Sequence, residues 1–374
     1  MTAPPLRVAL WAPVPPPLGG IGRWTLRYVD AAPAHGLDVQ IVDISPRDAA
    51  FSERSAFRFG RARTAGRALW DLGRVLRRHR PQLCHVTSSL FWATPRDGAA
   101  LALCRAAGVP TVLHLHGSNQ FVEWREALPR LRRAGLDAVL GGATCVLVLS
   151  RELEDYLRRV LPGRRVERIG NMVDEPLPGA ALLPPRGQGS AGPRQRVLFV
   201  GAVTPLKGVG ELAEAVLALP DVELALIGGS GGAIDPERRR AMDAHLARLR
   251  ATGRLYEAGE LPPEQVARAY SEADVFALPT HREGLPNVLL EAMAAGTPCV
   301  VTAVGAIPDV IQGELALQVP VGDAAALRSA LARLLGDPAL RADLAARARR
   351  SVLERYGVGV VMAQYRALYE DLLR

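Results

Sequence analysis

A chain of 374 residues with 49% hydrophobic and 22% charged side chains has enough apolar mass for two packed domains, and its composition excludes a disordered protein. Its net charge of +8 is unevenly placed: residues 1–190 hold 26 basic and 16 acidic side chains, residues 191–374 hold 20 and 22. No apolar run approaches the roughly 20 residues of a membrane span. The four cysteines, Cys84, Cys104, Cys145 and Cys299, have no ligand-like spacing and sit in apolar segments, which predicts buried free thiols.

The first residues, MTAPPLRVALWAP, lack the basic start, long apolar stretch and small-residue cleavage site of a secretory signal, so a cytoplasmic location is expected. Strand-length apolar runs then follow at 6–12, 37–44, 82–87, 111–116 and 144–150, separated by helix-length segments rich in Ala, Leu and Arg. Continuous apolar strands alternating with helices predict a parallel sheet covered on both faces. The segment from Arg54 to Arg80 has nine arginines against Asp71 alone. Such a stretch attracts polyanions or an anionic membrane surface, or is simply a solvated helix face. It has only Phe57, Phe59 and Trp70 as aromatics, too few for a nucleic-acid stacking platform.

Residues 175–195, EPLPGAALLPPRGQGSAGPRQ, break the pattern and read as a linker over 176–195. The alternation restarts with strands at 196–202, 222–229, 254–259, 274–279, 298–303 and 315–319, then helices near 323–336, 337–355 and 358–373. The expected architecture is two Rossmann-like domains, 1–175 and 196–357, facing across a cleft, with the last helix, 358–374, packing back on the first domain. Ligands of such sheets bind beyond the carboxyl ends of the strands.

Four loops at those ends could carry chemistry. After the first strand, Gly19, Gly20 and Gly22 precede a helix. The third glycine of a dinucleotide fingerprint would fall at Thr25 and is missing, although Asp43 lies at a plausible distance for a ribose. A loop that lets a substrate approach the backbone fits better, and a structural turn is the plain alternative. In TVLHLHGSN, His114 and His116 share one face of a strand, with His116 at its carboxyl end. A buried structural histidine is as common there as a functional one. No third ligand accompanies the pair and no DxD occurs, so no metal site is expected.

Lys207 is the single lysine among 46 basic residues. It ends the strand–loop stretch VLFVGAVTPLKG before a helix whose free N–H groups and dipole favour an anion. The stretch is not a Walker A loop. An exposed lysine without a role is the plain reading, but arginine has replaced lysine everywhere else. The survivor is expected to serve as a compact ammonium rather than a planar fork. In PTHREGLPNVLLEAMAAGTP, Glu283 lies on a loop tightened by Gly284 and Pro286, and Glu291 lies in a helix starting near Asn287. Glu291 would be a surface residue in the plain reading, yet its surroundings are apolar, so a polar partner is expected.

HREGLPNVLLEAMAAGTPCVV resembles the E-x7-E motif of the retaining glycosyltransferases of family 4, which have the GT-B fold. GGIG, LHLHG, ERIGNMVD and VGAVTPLKG stand around it in the family's order, so the resemblance covers essentially the whole chain. It implies a metal-independent transferase with no cofactor, which moves a hexosyl group from a nucleotide-diphosphate sugar with retention. The acceptor would be a glycan, polysaccharide or lipid-linked sugar, and nucleic acid is not an expected partner. The resemblance assigns Lys207 to the diphosphate, with Gly20 and Gly22 approaching from the other domain. Glu283, Gly284, Leu285, Pro286 and Asn287 would lie against the sugar, Glu291 against the ribose, and Gly259, Glu260 and Leu261 against the base. His116 would lie near the reacting carbon, giving His116, Lys207 and Glu283 as the catalytic set. The family usually carries Arg after the glycine of VGA, where this chain has Ala202. Arg23 and Arg282 are candidates to replace it. Two rivals remain open: an epimerase of the same fold, and a silent nucleotide-sugar-binding protein. The segment from Arg54 to Arg80 would offer a peripheral contact at the inner membrane face.

Overall fold

The computed structural model describes residues 4–15, 19–45, 59–117, 120–175, 182–190, 192–231 and 235–374, without the side chains of 59–62 and 92. Residues 54–58 of the arginine-rich segment and 176–181 of the expected linker lie outside the described residues. The chain forms two compact units. One comprises the residues up to Met172 together with Val358–Arg374, the other Val173–Gly357.

The first unit alternates strand and helix in the order β1 (Leu6–Ala12), α1 (Gly20–Ala31), β2 (Leu37–Asp43), α2 (Phe59–Arg78), β3 (Leu83–Ser88), α3 (Thr94–Ala106) and β4 (Thr111–Leu115). Then come α4 (Gln120–Glu126), α5 (Arg130–Leu140), β5 (Cys145–Val148), α6 (Arg151–Val160) and β6 (Val166–Arg168). The six strands pair in parallel in the order β2-β1-β3-β4-β5-β6. Both faces are covered, which is why β1 is apolar at every position but Arg7. Val8, Leu10 and Ala12 pack in one core cluster and Ala9 and Trp11 in the other. The closing helix α14 (Val358–Leu372) joins this unit through Val361, Met362, Tyr365, Leu368 and Tyr369, one stripe at helical spacing. Cys84, Cys104, Cys145 and Cys299 are all buried free thiols.

The second unit opens on a two-residue hairpin, β7 (Gln188–Gly189) and β8 (Gly192–Pro193). It continues with β9 (Gln195–Val200), α7 (Val209–Leu217), β10 (Val222–Ile227), α8 (Pro236–Ala251), β11 (Leu255–Glu257), α9 (Pro263–Glu272) and β12 (Val275–Leu278). After these come α10 (Asn287–Ala294), β13 (Cys299–Thr302), α11 (Ile307–Val310), β14 (Leu317–Val319), α12 (Ala324–Gly336) and α13 (Pro338–Tyr356). The parallel order is β11-β10-β9-β12-β13-β14. The described part of the expected linker differs from a free tether. Leu183 N donates to Glu272, Arg186 pairs with Asp274, and Ser190 N donates to Asp221 at 2.7 Å. Its proline and glycine content reflects irregular backbone held down by side-chain carboxylates rather than by a ladder.

Both sequence stretches that lacked a strand expectation yet became strands, β6 and the hairpin, are two or three residues long. Such short elements are set by their neighbours rather than by their own periodicity. Among the described residues, no helix is long and apolar enough to cross a membrane.

Candidate active site

In the second unit the loops after β9, β10, β11 and β12 meet along the carboxyl edge of the sheet. The loop after β9 makes a single 3-10 turn, Pro205–Lys207, and reverses at Gly208 before α7 starts. Gly208 has φ 71°, and a Cβ there would lie 2.0 Å from the Pro279 carbonyl oxygen, so only glycine lets the two loops touch. The contact is fixed further along: His281 N donates to Leu206 O at 2.9 Å, and the Lys207 ammonium forms an ion pair with the Glu283 carboxylate. The pair is partly sheltered, with side-chain exposures of 28% for Lys207 and 14% for Glu283.

Glu283 is held from behind. Gly305, φ 62°, brings the loop after β13 so close that a Cβ would lie 2.2 Å from Glu283 O, and Ala306 N donates to Gly284 O at 2.8 Å. Leu285 and Pro286 are buried beneath the loop, and Asn287 starts α10. No side chain caps α7, and its first-turn Glu211 accepts from His281 Nε2 at 2.9 Å. An anion arriving here would meet an ammonium, free N–H groups at a helix start and, alongside, a carboxylate able to accept hydroxyls.

Glu291 sits in the second turn of α10 and accepts a hydrogen bond from Tyr270 Oη at 3.1 Å, so the partner that its apolar surroundings demanded comes from α9. Gly259, Glu260 and Leu261 follow β11, where Gly228 N donates to Gly259 O at 2.7 Å. The Glu260 carboxylate crowds Gly229 so closely that a Cβ there would lie 2.6 Å from Oε1. Ala202 lies on the same edge; a Cβ at Gly231 would lie 3.9 Å from its methyl group and 2.6 Å from Thr204. Arg239 of α8 donates to Gly231 O at 3.2 Å, so a guanidinium reaches this neighbourhood from a helix that neither Arg23 nor Arg282 belongs to. Arg282 is exposed on the loop after β12, and Arg23 belongs to the first unit.

The first unit brings a different chemistry to its carboxyl edge. Gly20 and Gly22 do not stand on a loop before the helix as expected; both lie in the first turn of α1, with Gly19 at its cap. The first N–H groups of a helix have no internal partner in any case, so glycine is tolerated there and the helix starts early. Asp43 accepts from Val14 N at 3.3 Å and Ser45 N at 2.8 Å, which makes it a tie between loops. His116, one residue beyond β4, packs its ring 3.9 Å from that of His114 and 5.1 Å from that of Trp24.

From His114 a chain of hydrogen bonds runs inward. His114 Nδ1 meets His85 Nε2 at 3.2 Å, His85 Nδ1 meets Tyr369 Oη at 2.6 Å, and Tyr369 meets Tyr28 at 2.8 Å. At the other end, the buried Nε2 atoms of His114 and His116 have no partner among the described residues. Burial holds all three histidines neutral: His85 and His116 are lowered to about 3, and His114 lies well below its ordinary value. Sequence spacing pairs His114 with His116, but His85 lies 29 residues from His114 and Tyr369 lies 284 from His85, so they leave no local signal.

Two parallel six-stranded sheets, each covered by helices on both faces, define a GT-B fold. Solved structures with this architecture include the sucrose-phosphate synthase of Thermosynechococcus elongatus, at TM-score 0.78 and 24% identity over 98% of this chain and 99% of that one. The Anabaena protein HepE in complex with UDP and glucose matches at TM-score 0.70 and 15% identity over 98% of this chain and all of that one.

Residues 18–175 match the model of Glycosyltransferase Family 4 and residues 194–337 that of Glycosyl transferases group 1. The chain belongs to the family 4 glycosyltransferases. Its relatives include a D-inositol 3-phosphate glycosyltransferase of Mycobacteroides abscessus, 30% identical over 242 residues, covering 62% of this chain and 53% of that protein. Another is the N-acetyl-alpha-D-glucosaminyl L-malate synthase of Bacillus anthracis, 38% identical over 112 residues, covering 30% of this chain and 29% of that protein. The matched stretches span less than two thirds of the curated relatives' own length.

Proposed function

We propose that this protein transfers a hexosyl group from a nucleotide-diphosphate sugar to a glycan or lipid-linked acceptor, with retention at the reacting carbon. The observation that carries the reading is the Lys207–Glu283 ion pair at the carboxyl edge of the second sheet, beside the uncapped start of α7. An arriving diphosphate competes with Glu283 for the ammonium. Lys207 then balances the leaving phosphate, and the released Glu283 carboxylate accepts hydroxyls of the transferred sugar. Gly284, Leu285, Pro286 and Asn287 line the sugar's approach, and Glu291, steadied by Tyr270, takes the ribose. Gly259, Glu260 and Leu261 face the base.

In the reacting step the bond between the anomeric carbon and the phosphate oxygen breaks, and the acceptor hydroxyl oxygen bonds on the same face. The acceptor proton passes to the departing phosphate. His116, which belongs to the first unit, is the remaining member of the proposed catalytic set. Its imidazole is neutral, so it serves as a hydrogen-bond partner and not as a cation. Lys207 and the α7 N–H groups supply the leaving-group stabilisation, and no metal or cofactor is assigned a step. Arg239 stands in for the guanidinium absent at Ala202.

HepE was crystallised with UDP, and UDP-sugars are therefore the first donors to test. The test is thermal stabilisation by UDP and UDP-sugars, followed by NMR of the product formed with a glycan acceptor. The reading expects stabilisation and an anomeric configuration equal to that of the donor. An inverted product contradicts retention. Epimerised donor without acceptor makes the protein an epimerase, and binding without any turnover makes it a silent binder.

A further inference from the structure

Helix α2 packs its inner face on the first unit through Ala68 and Leu72, both fully buried, with Leu69, Val75 and Leu76 beside them. That face accounts for the helix's amphipathicity and, among the described residues, leaves its outer face without a packing partner. The outer face is not a mixed solvated surface. Arg63, Arg67, Trp70, Arg74 and Arg77 recur at spacings of three or four and so form one stripe along it. Trp70, at its centre, is 61% exposed, and the Arg74 guanidinium lies over its ring at 5.4 Å.

None of the four stripe arginines pairs with a carboxylate among the described residues, and Asp71 is the helix's single acid. From Arg63 to Arg77 the stripe runs about 21 Å at the helical rise. An indole exposed between arginines is costly in water but suits the headgroup layer of a bilayer, where the ring is half-buried and guanidiniums meet phosphates.

We propose that α2 lies flat on an anionic lipid surface, with Trp70 entering the interface and Arg63, Arg67, Arg74 and Arg77 binding headgroup phosphates. A solvated helix face needs no tryptophan at its centre, and a nucleic-acid face would need several stacking aromatics, whereas this stripe has one. The proposal uses no residue assigned to donor or sugar, so it stands or falls separately from the transfer reaction.

The experiment is flotation of the whole protein with phosphatidylcholine vesicles that do or do not contain about 30% phosphatidylglycerol, at ionic strength near 0.1 M. Flotation with the anionic vesicles alone is expected, together with a blue shift of emission that Trp70→Phe removes. Arg67→Glu with Arg74→Glu should abolish capture, and single Arg→Gln changes should each weaken partitioning by roughly fivefold. Melting profiles of these exposed-site variants equal to wild type separate lost binding from lost folding. Equal capture by neutral vesicles, or none by either, overturns the proposal. So does capture that an RNA oligonucleotide abolishes while Trp70→Phe leaves it unchanged, since the stripe would then be a general polyanion face.

Discussion

Both units are built on a six-stranded parallel sheet, though with different strand orders, and they differ in how they treat polarity at the carboxyl edge. The first unit buries it. His85, His114, Tyr28, Tyr365 and Tyr369 are inaccessible and burial keeps them neutral, with Trp24 Nε1 donating to Tyr365 Oη at 3.3 Å. The second unit leaves a partly exposed ion pair on the edge, Lys207–Glu283, between glycine turns. A buried neutral network fixes one geometry because every lost hydrogen bond there is expensive. A partly exposed ion pair contributes little to stability and can be taken apart by a ligand. The first edge is therefore built to hold shape and the second to exchange partners.

The largest expected effect of this contrast is in acid. The three neutral histidines have folded pKa values below the ordinary value near 6.5, so the unfolded chain takes up protons first as pH falls. Their contribution is fully present above about 6.5 and is lost progressively toward about 3, at roughly 1 kcal/mol per pH unit for each histidine. All five tryptophans lie within the first 124 residues, so indole fluorescence reports the first unit alone. Fluorescence-detected melting should fall steeply between pH 6.5 and 5, ahead of any loss seen by nucleotide-dependent stabilisation of the second unit. A flat fluorescence profile over that range would remove the contrast.

Ligand response should run the other way. A nucleotide at 100 times its dissociation constant adds about 2.7 kcal/mol to the unit that binds it. Glu283→Gln and Glu291→Ala each remove a charged acceptor for the donor and should cost about 1.5–3 kcal/mol in transfer while the fold survives. Wild-type turnover by either purified variant would take the E-x7-E residues out of the site.

Tyr369→Phe should act on stability and not on nucleotide affinity. It strips the hydroxyl that meets His85 at 2.6 Å and Tyr28 at 2.8 Å, and leaving those atoms unpaired costs about 1–3 kcal/mol. A lowered melting temperature with unchanged UDP binding is the expected pair of readings. The smallest effect is assigned to Arg239→Ala. Its guanidinium is 30% exposed and already shared with Asp243 at 3.0 Å, so donor affinity should weaken by no more than about 1 kcal/mol.

The fold was legible because both sheets are buried on both faces. Runs such as LRVALWA and RVLFVGA are apolar at consecutive positions, and the intervening helices carry the complementary stripe. Glu283, Glu291 and Lys207 were legible because charged residues stand out in otherwise apolar or glycine-rich stretches. Their pairings were not. Lys207 and Glu283 are 76 residues apart, and Glu291 finds Tyr270 on a different helix. The start of α1 at Gly20 is not legible, because glycine weakens a helix signal most where the helix begins. The role of α14 as a structural member of the histidine network depends on Tyr365 and Tyr369, which by sequence are ordinary core aromatics.

The central claim is that the lone lysine is the working cation of the second edge. Donor-hydrolysis and transfer rates of wild type, Lys207→Arg and Lys207→Ala test it most directly. A guanidinium cannot occupy the space of a compact ammonium against Glu283 and the α7 start, so the account predicts a reduced rate for the Arg variant. For the Ala variant it predicts a loss of about 10²–10³. A Lys207→Ala enzyme as fast as wild type would contradict the account and place the diphosphate elsewhere.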